Sequence, residues 1–467
     1  MSIASILDIA KTAMFAHQTS IHITSNNIAN VNTKGYARQE AILEEAPSVL
    51  TDLGRMGGGV TVAGFRRFYD RFLEATIAQR NTDLEEQKTM SAYLERIETI
   101  VNEDNSQLAT RITEFFNGWQ ELSNDPLNLV KRTNVVTKAE GLCQTIGNMY
   151  NELNAMRLEV DSNIEKEISE INGLTSSIAD LNRLIYENGG GNGETLDYET
   201  KRTQLIKELS GKLNIVTFAD EDGGVSILTG TGQPLVSRAA SWNLEAIEDP
   251  STGLHNIGWT DASGSVVNIT TGITGGTLKG LVDTRDEYLG NGFMEDLNQL
   301  ARTLITEVNT IHESGYNMNG TTGVSFFEEV TSGCYARDIA LSSEIKADVR
   351  YIAAASSSSD TSGNEAALDI ASLLDENLTI NGQTTTFTNY VSSMMSNIGE
   401  LTRNSKNLCE SQQYAMNAIE KQRESVSGVS IDEEMSNLVK FQTAYQASAR
   451  LVTVADELFQ TLFEAFK

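Results

Sequence analysis

The chain has 467 residues, enough for two or three domains, and 64 acidic against 35 basic residues give it a formal charge of −29. That balance argues against nucleic acid or an anionic membrane surface as a partner, and no run approaches the roughly 18 apolar residues of a membrane span. Three widely spaced cysteines, Cys143, Cys334 and Cys409, support neither a disulfide framework nor a metal knuckle and are expected as buried free thiols.

The first twenty residues have no basic leader, and Asp8 and Lys11 interrupt their apolar positions, so they do not read as a secretory signal. If the protein works outside the cell, it leaves by another route. These residues read instead as an amphipathic helix with apolar spacing through Ile3, Leu7, Ala10, Met14, His17, Ile21 and Ile28. In the polar stretch 24–36 that follows, Asn26, Asn27, Asn30, Asn32 and Gly35 predict turns, because Asn and Gly accept left-handed backbone angles. Residues 38–43 read as extended, and Gly57, Gly58 and Gly59 as a hinge into a strand at Val60. Residues 65–73 open a helical region reaching about Phe116.

The longest regular element spans residues 139–187, with a stripe from Leu142, Ile146, Met149 and Leu153 to Ile178, Leu181 and Ile185. From Leu142 to Ile185 it would measure about 65 Å. A rod of that length needs long neighbours, and residues 84–116, 286–312 and 390–427 supply them, which predicts an elongated antiparallel helical bundle. Residues 189–193 read as a glycine-rich turn. Between 213 and 283 the pattern changes to short strands at 215–218, 225–228, 242–244, 257–259 and 266–269, a β-rich domain inserted into the bundle. Residues 353–363 read as an exposed loop, and Asn381-Gly382 as the turn of a small hairpin.

Near the C-terminus, Ser430 and Glu433 have the spacing of a capping box that opens a last helix of about 37 residues. One seam of that helix is Met435, Leu438, Gln442, Tyr445, Ala449, Val452, Phe459, Phe463 and Phe466. A second stripe, Phe441, Ala444, Leu451, Ala455, Leu458 and Leu462, widens its apolar face. Two such helices at opposite ends of one chain should meet each other and also other copies, as in a subunit of a helical assembly. An isolated chain is expected to leave both partly disordered. The fold class is mainly α with an inserted β-rich domain in an elongated, multi-domain subunit. Residues 1–45 plus 428–467 form a coiled-coil-like inner domain, 46–212 plus 284–427 the bundle, and 213–283 an outer β domain.

No catalytic constellation can be assembled, so no enzyme, cofactor or metal is expected. The four histidines are His17, His22, His255 and His312, and His312-Glu313 lacks the second histidine of a zinc helix. Gly211-Lys212 lacks the rest of a phosphate loop, no Gly-x-Ser-x-Gly elbow occurs, and Asp220–Gly223 reads as a hairpin turn.

The run Ser25-Asn26-Asn27-Ile28-Ala29-Asn30-Val31-Asn32-Thr33 with Gly35-Tyr36 resembles the N-terminal signature of the axial proteins of the bacterial flagellum, shared by rod, hook and first hook-associated proteins. Residues 427–434, then Leu438, Phe441-Gln442 and 444–450, are similar to the first hook-associated proteins in particular, as are 276–281, Arg285-Asp286, Val308-Asn309, His312 and Gly315-Tyr316. The resemblance is strong at both ends, patchy in the bundle and weak in the β-rich insert. The chain is short for that family, with room for one outer β domain rather than two.

The resemblance implies a structural subunit in a ring joining hook to filament. Its partners would be other copies of itself, the hook protein, the third hook-associated protein, and a cytoplasmic export chaperone on the C-terminal helix. Neither nucleic acid nor membrane insertion is implied. Export through the flagellar type III apparatus would place it, secreted, at the extracellular hook–filament junction. The implied assembly residues are Ile3, Leu7, Met14, Ile21, Asn26, Asn27, Ile28, Asn30, Asn32, Gly35 and Tyr36 at one end. At the other they are Met435, Leu438, Tyr445, Ala449, Leu451, Val452, Phe459 and Phe463. The alternatives are a hook or distal-rod protein, which the long helix at 139–187 disfavours, and a surface adhesin with a glycan-binding β domain on a helical stalk. Trp242 and Trp259 suit a core as readily as a sugar site.

Overall fold

The sustained helical periods become helices, three of them of 41 to 59 residues. The structure, a computed structural model, describes residues 3–33, 35–51, 54–189, 195–220, 223–360 and 362–465. Most of the glycine-rich turn at 189–193, Glu221-Asp222 in the expected hairpin turn, and Phe466 lie outside those residues.

The chain opens with α1 (Ile3–Ala29), which runs through Asn26 and Asn27 rather than turning there. Asn27 stays helical because its side chain is used outside the helix, and only at Asn30, whose amide donates back to the Asn26 carbonyl and side-chain oxygen over 3.0 Å, does the helix stop. β1 (Gln39–Glu45) pairs antiparallel with β4 (Val60–Arg67), and the short pair β2 (Val49–Thr51) and β3 (Gly54–Met56) lies between them in sequence. Residues 65–67 therefore belong to a strand. Gly59, at φ +94°, lies against α1, where a Cβ would meet the Thr12 hydroxyl at 2.6 Å.

Asp70 caps α2 (Arg71–Ser123) by accepting from the Phe72 and Leu73 amides, which fixes its start later than the periodicity suggested. α3 (Leu129–Glu187) follows antiparallel and begins ten residues before the expected 139. Its 59 residues make it about 90 Å long. After α4 (Leu196–Lys212) come β5 (Ile215–Ala219), β6 (Val225–Thr229), β7 (Pro234–Ser237) and β8 (Ala240–Ser241), one antiparallel sheet in sequence order. β9 (Leu244–Glu248), β10 (His255–Thr260) and β11 (Val266–Asn268) form a second. α5 (Gly276–Asp283) continues through a π-helical segment, Thr284–Met294, into α6 (Glu295–Ser314), with Gly292 out of helical geometry.

Short elements cover the upper bundle: β12 (Tyr316–Asn317), α7 (Tyr335–Asp338), α8 (Ser343–Ala347), β13 (Ala353–Ala355) and α9 (Glu365–Ser372). Ala353–Ala355 is thus a fully buried strand paired with β12, not the start of an exposed loop; alanines are small enough to lie beneath α9. β14 (Leu378–Ile380) and β15 (Gln383–Thr385) flank the Asn381-Gly382 turn, where both residues have positive φ. α10 (Phe387–Ser427) returns antiparallel along α2, and after three residues α11 (Ile431–Ala465) completes the described chain.

The α3 stripe is buried almost throughout, and one continuous apolar core runs from Leu94 on α2 through α3 and α6 to Ile398 on α10. The β-rich insert is not separate from it: Ile227, Leu235, Val236, Leu244 and Ile257 belong to the same core. Three polar side chains on α3 fasten it. Asp161 accepts from the His255 amide, Asn172 bonds the Leu244 backbone, and the Asn182 amide donates to the Val225 and Arg238 carbonyls. Their spacings of eleven and ten residues, close to three helical turns each, put all three on one face. The expected outer domain is therefore laid along the rod, bonded to α3 at the edge of β9 and at the starts of β6 and β10.

Candidate assembly surface

α1 and α11 pack antiparallel, which puts both described ends of the chain at the same tip. Small residues line their closest approach: Ala10, Ala16 and Ser20 on α1, Ser448 and Ala455 on α11, all buried. Both serines donate to the carbonyl four residues back and so bring no unsatisfied hydroxyl into the seam. His17 stacks on Phe441 with ring centroids 6.4 Å apart, and burial lowers its pKa, keeping a neutral ring in the seam. α1 has the β1–β4 ribbon on another side, whereas α11 rests mainly on α1.

One partner cannot cover the wide apolar face of α11. Ile3, Leu7, Met14, Ile21 and Ile28 on α1, and Leu438, Tyr445, Ala449, Val452 and Phe459 on α11, are half-buried along the seam. Met435, Leu451 and Phe463 are exposed. Leu451, Val454, Leu458 and Leu462 follow one another at helical spacing as an uncovered apolar stripe on the last turns of α11, and Ile431, Met435 and Val439 form a shorter one on another side of its first turns. The two neighbouring positions 451 and 452 thus part company: Leu451 is 45% exposed, Val452 half-buried. Exposed apolar groups in such a row are what protein-contact surfaces carry.

The asparagine-rich signature has a different place. Asn27 is 1% exposed and turned into its own chain. Its Nδ2 donates to the Gln39 carbonyl (2.8 Å) and to Glu434 Oε2 (3.0 Å), while its Oδ1 accepts from the Gln39 amide (3.0 Å) and the Tyr36 hydroxyl (2.9 Å). Burial, then the charges of Asp197 and Glu434, pushes the Tyr36 hydroxyl up to about 12, so it remains a donor. Asn26 and Asn30 bond each other, Asn32 is exposed, and Gly35, at φ +80°, offers its carbonyl to Arg423 Nη2 at 2.8 Å.

Arg38, Arg423 and Glu434 are the residues that sequence reasoning missed. Arg38 Nε donates to Glu434 Oε1 at 2.7 Å and its Nη1 to Glu433 Oε2 at 3.2 Å, which diverts Glu433 from the expected capping box. The Arg38 amide donates to the Ser427 carbonyl at the end of α10, and Arg423 pairs with Glu74 at 2.6 Å. The available signal was slight: a third consecutive acid, Glu434, on the seam side of its helix.

Among the described residues no group of three or more His, Cys, Asp and Glu could hold a metal ion, and no helix is long and apolar enough to cross a membrane. His312 is fully buried between the Val324 carbonyl and the Ala353 amide, and His255 is held by Asp161 and Glu165. Cys143 is buried, Cys334 and Cys409 are half-buried, and all three are free. Trp259 donates to the Pro234 carbonyl and packs on the core.

Three comparisons agree with one another. Residues 94–327, just over half of the chain, match the flagellar hook-associated protein FlgK helical domain. Residues 7–36 match the flagella basal body rod protein family and 421–464 the flagellar basal body rod FlgEFG protein C-terminal family. Flagellar hook-associated protein 1 of Bacillus subtilis strain 168 is 27% identical, over 97% of this chain and 96% of its own length. Its namesake in Escherichia coli K12 is 25% identical over 98% and 99%; that alignment spans 552 positions, more than this chain's 467 residues. The flagellar hook junction protein FlgK from Burkholderia pseudomallei shares the fold, with a TM-score of 0.68 at 16% identity over 76% of this chain and 100% of that one.

Proposed function

Because this chain belongs to the flagellar hook-associated protein family defined by the FlgK helical domain, we propose that it is a structural subunit of the bacterial flagellum at the junction between hook and filament. The observation that carries this reading is the paired α1 and α11 with an uncovered apolar stripe on α11. Other copies of the same chain cover that stripe and close a ring. The hook protein lies on one side of the ring and the third hook-associated protein on the other. The match to the helical domain separates this reading from a hook or rod protein, which would share only the end segments, and nothing in the comparisons supports a glycan-binding adhesin.

The subunit works by packing and catalyses no reaction. It leaves the cell through the flagellar export apparatus, with a cytoplasmic chaperone on α11, whose apolar stripe is uncovered in the single chain. The net charge of −29 keeps a self-associating subunit soluble until it reaches its place. Electron microscopy of a deletion strain tests the function: finished hooks without filaments, and flagellin in the medium, restored by the intact gene. Normal filaments on the deletion strain's hooks would refute it.

A further inference from the structure

From Leu281 to Ala301 the buried positions recur every four residues: Leu281, Arg285, Leu289, Phe293, Leu297 and Ala301 are each at most 4% exposed. Five steps of four would carry such a stripe about 200° around an ordinary α-helix, more than half of its circumference. α5 and α6 could not then both face the core. The chain removes the drift by under-winding, and it does so in the π-helical segment Thr284–Met294. The mismatch sets how much under-winding the helix needs, but not which turn carries it.

That choice is made from α3. A π-helical turn bonds each carbonyl five residues on, which sets Gly290 against the Arg285 carbonyl. Arg157 meets both: its Nε donates to that carbonyl at 3.1 Å, and a Cβ on Gly290 would lie 2.7 Å from its Nη2. Asp161, one turn further along α3, takes the other end of the same residue, its Oδ1 accepting from Arg285 Nη1 at 2.6 Å. Arg285 Nη1 also donates to the His255 carbonyl at the start of β10. Its Nε and Nη2 hold Asp286, which lies 3.9 Å from Arg157 Nη2. Were the under-winding to move toward α6, the Arg285 carbonyl would turn to the amide four residues on and Arg157 would lose its acceptor. We infer that Arg157 is a positioning residue: it pins the under-wound turn against Gly290 and so holds Arg285 in place as the tie between the bundle and the β-rich insert. These residues all lie in the bundle and the insert, away from the chain ends, and the inference holds whatever the subunit assembles with.

Hydrogen exchange on the full-length chain tests it. Arg157→Met keeps a long side chain but removes every donor. Amides in 286–294 should lose protection by about ten- to a hundredfold, the scale of one hydrogen bond from a charged donor. Those in 256–260 should lose less, and those in 171–185 of α3 none. Circular dichroism should stay the same, because the segment remains helical wherever the under-winding sits. Arg96→Met, which breaks the exposed ion pair of Arg96 with Glu159 on the same stretch of α3, should leave 286–294 as before. Gly290→Ala puts a methyl where the guanidinium lies and should reproduce the Arg157→Met pattern. Alanine is the better helix former, so a loss there cannot come from propensity. Because both changes remove one contact, the double variant should lose no more than the worse single one. Should Arg157→Met fail to fold, Arg157→Lys, with one compact donor head, gives the same reading through a smaller loss in the same amides. Unchanged exchange in 286–294, additive losses, or a loss spread equally along α3 would each overturn the assignment.

Discussion

The side chain of Asn172 brackets the backbone of Leu244: its Nδ2 donates to the Leu244 carbonyl and its Oδ1 accepts the Leu244 amide, each over 2.8 Å. A helix here completes the open side of the edge strand β9, and Asp161 and Asn182 bond the backbone of His255 and Val225 at the first residues of the inner strands β10 and β6. Asn172→Ala would leave both buried backbone groups of Leu244 without partners. The expected loss is about 2 kcal/mol, read as a lower midpoint in urea, and Asn172→Asp, which keeps the acceptor alone, should fall between. For the same reason, replacing residues 214–274 by a Gly-Ser linker should bare the apolar face of α3 and lower the helical signal in circular dichroism.

The two sides of α11 should respond differently to charge. Leu451→Asp puts a carboxylate on the exposed stripe, so the free subunit should melt as before while filaments fail to form on finished hooks, because burial of that charge in the assembly costs several kcal/mol per copy. Ala455 is 0% exposed against α1, and Ala455→Asp should already open the helix pair in the free chain, seen as faster exchange in α1. Swimming cells carrying Leu451→Asp, or a melting point several degrees lower, would remove the stripe from the assembly surface.

Two histidines give stability opposite pH slopes. Burial holds the His312 pKa down to about 4, so the unfolded chain takes up a proton below about pH 6.5 that the folded chain refuses. Stability from His312 is complete above that value and is lost as pH falls toward 4, roughly 3 kcal/mol in all. His255 is the reverse. Its hydrogen bond to Asp161 raises its pKa, with Glu165 and Glu248 adding to this, so its contribution is present in acid and is lost as pH rises through the folded value above 6.5. Chemical denaturation across pH 5 to 8 should show a flattened acid limb in His312→Phe and a flattened alkaline limb in His255→Gln.

Arg132 is wholly buried and is used as a bracket between backbones: Nε donates to the Pro126 carbonyl at 2.8 Å and Nη1 to the Ile352 carbonyl at 2.5 Å. Burial pulls its pKa down to about 10. A lysine has one compact donor head and cannot hold the α2–α3 turn and the segment before β13 together. Arg132→Lys should therefore cost about 2 to 4 kcal/mol and, by limited proteolysis, expose residues 345–362 first.

Much of the fold was legible because long apolar periods leave little choice. The α3 stripe from Leu142 to Ile185 could be read by spacing alone, and the Asn381-Gly382 turn by its demand for positive φ. The start of α3 could not, because its first turn inverts the pattern, with Leu129 and Val130 exposed and Arg132 buried. Ala353–Ala355 carries too little apolar surface to announce a core strand. On α11 the apolar face is so wide that the sequence could show it sticky without saying which edge α1 would take. The Glu434 contacts were hidden for another reason: the partners are remote in sequence, and a buried carboxylate next to two exposed ones has no local signature.

Asn27 and Glu434 lie 407 residues apart, and joining them in an otherwise unfolded chain closes a loop that costs about 5 kcal/mol of chain entropy. Once α2 and α10 have packed, that distance shrinks to the residues between Asn27 and Asp70 on one side and the three between Ser427 and Ile431 on the other. Folding order follows from this. The rod must zip first and carry the roots of α1 and α11 together, and the terminal pair closes last. Refolding should show a dominant phase from the rod and a later, smaller one from the ends. A chain emerging N-terminus first would hold α1 without its partner until the final residues arrive, so the sticky end made first is the one that must wait longest.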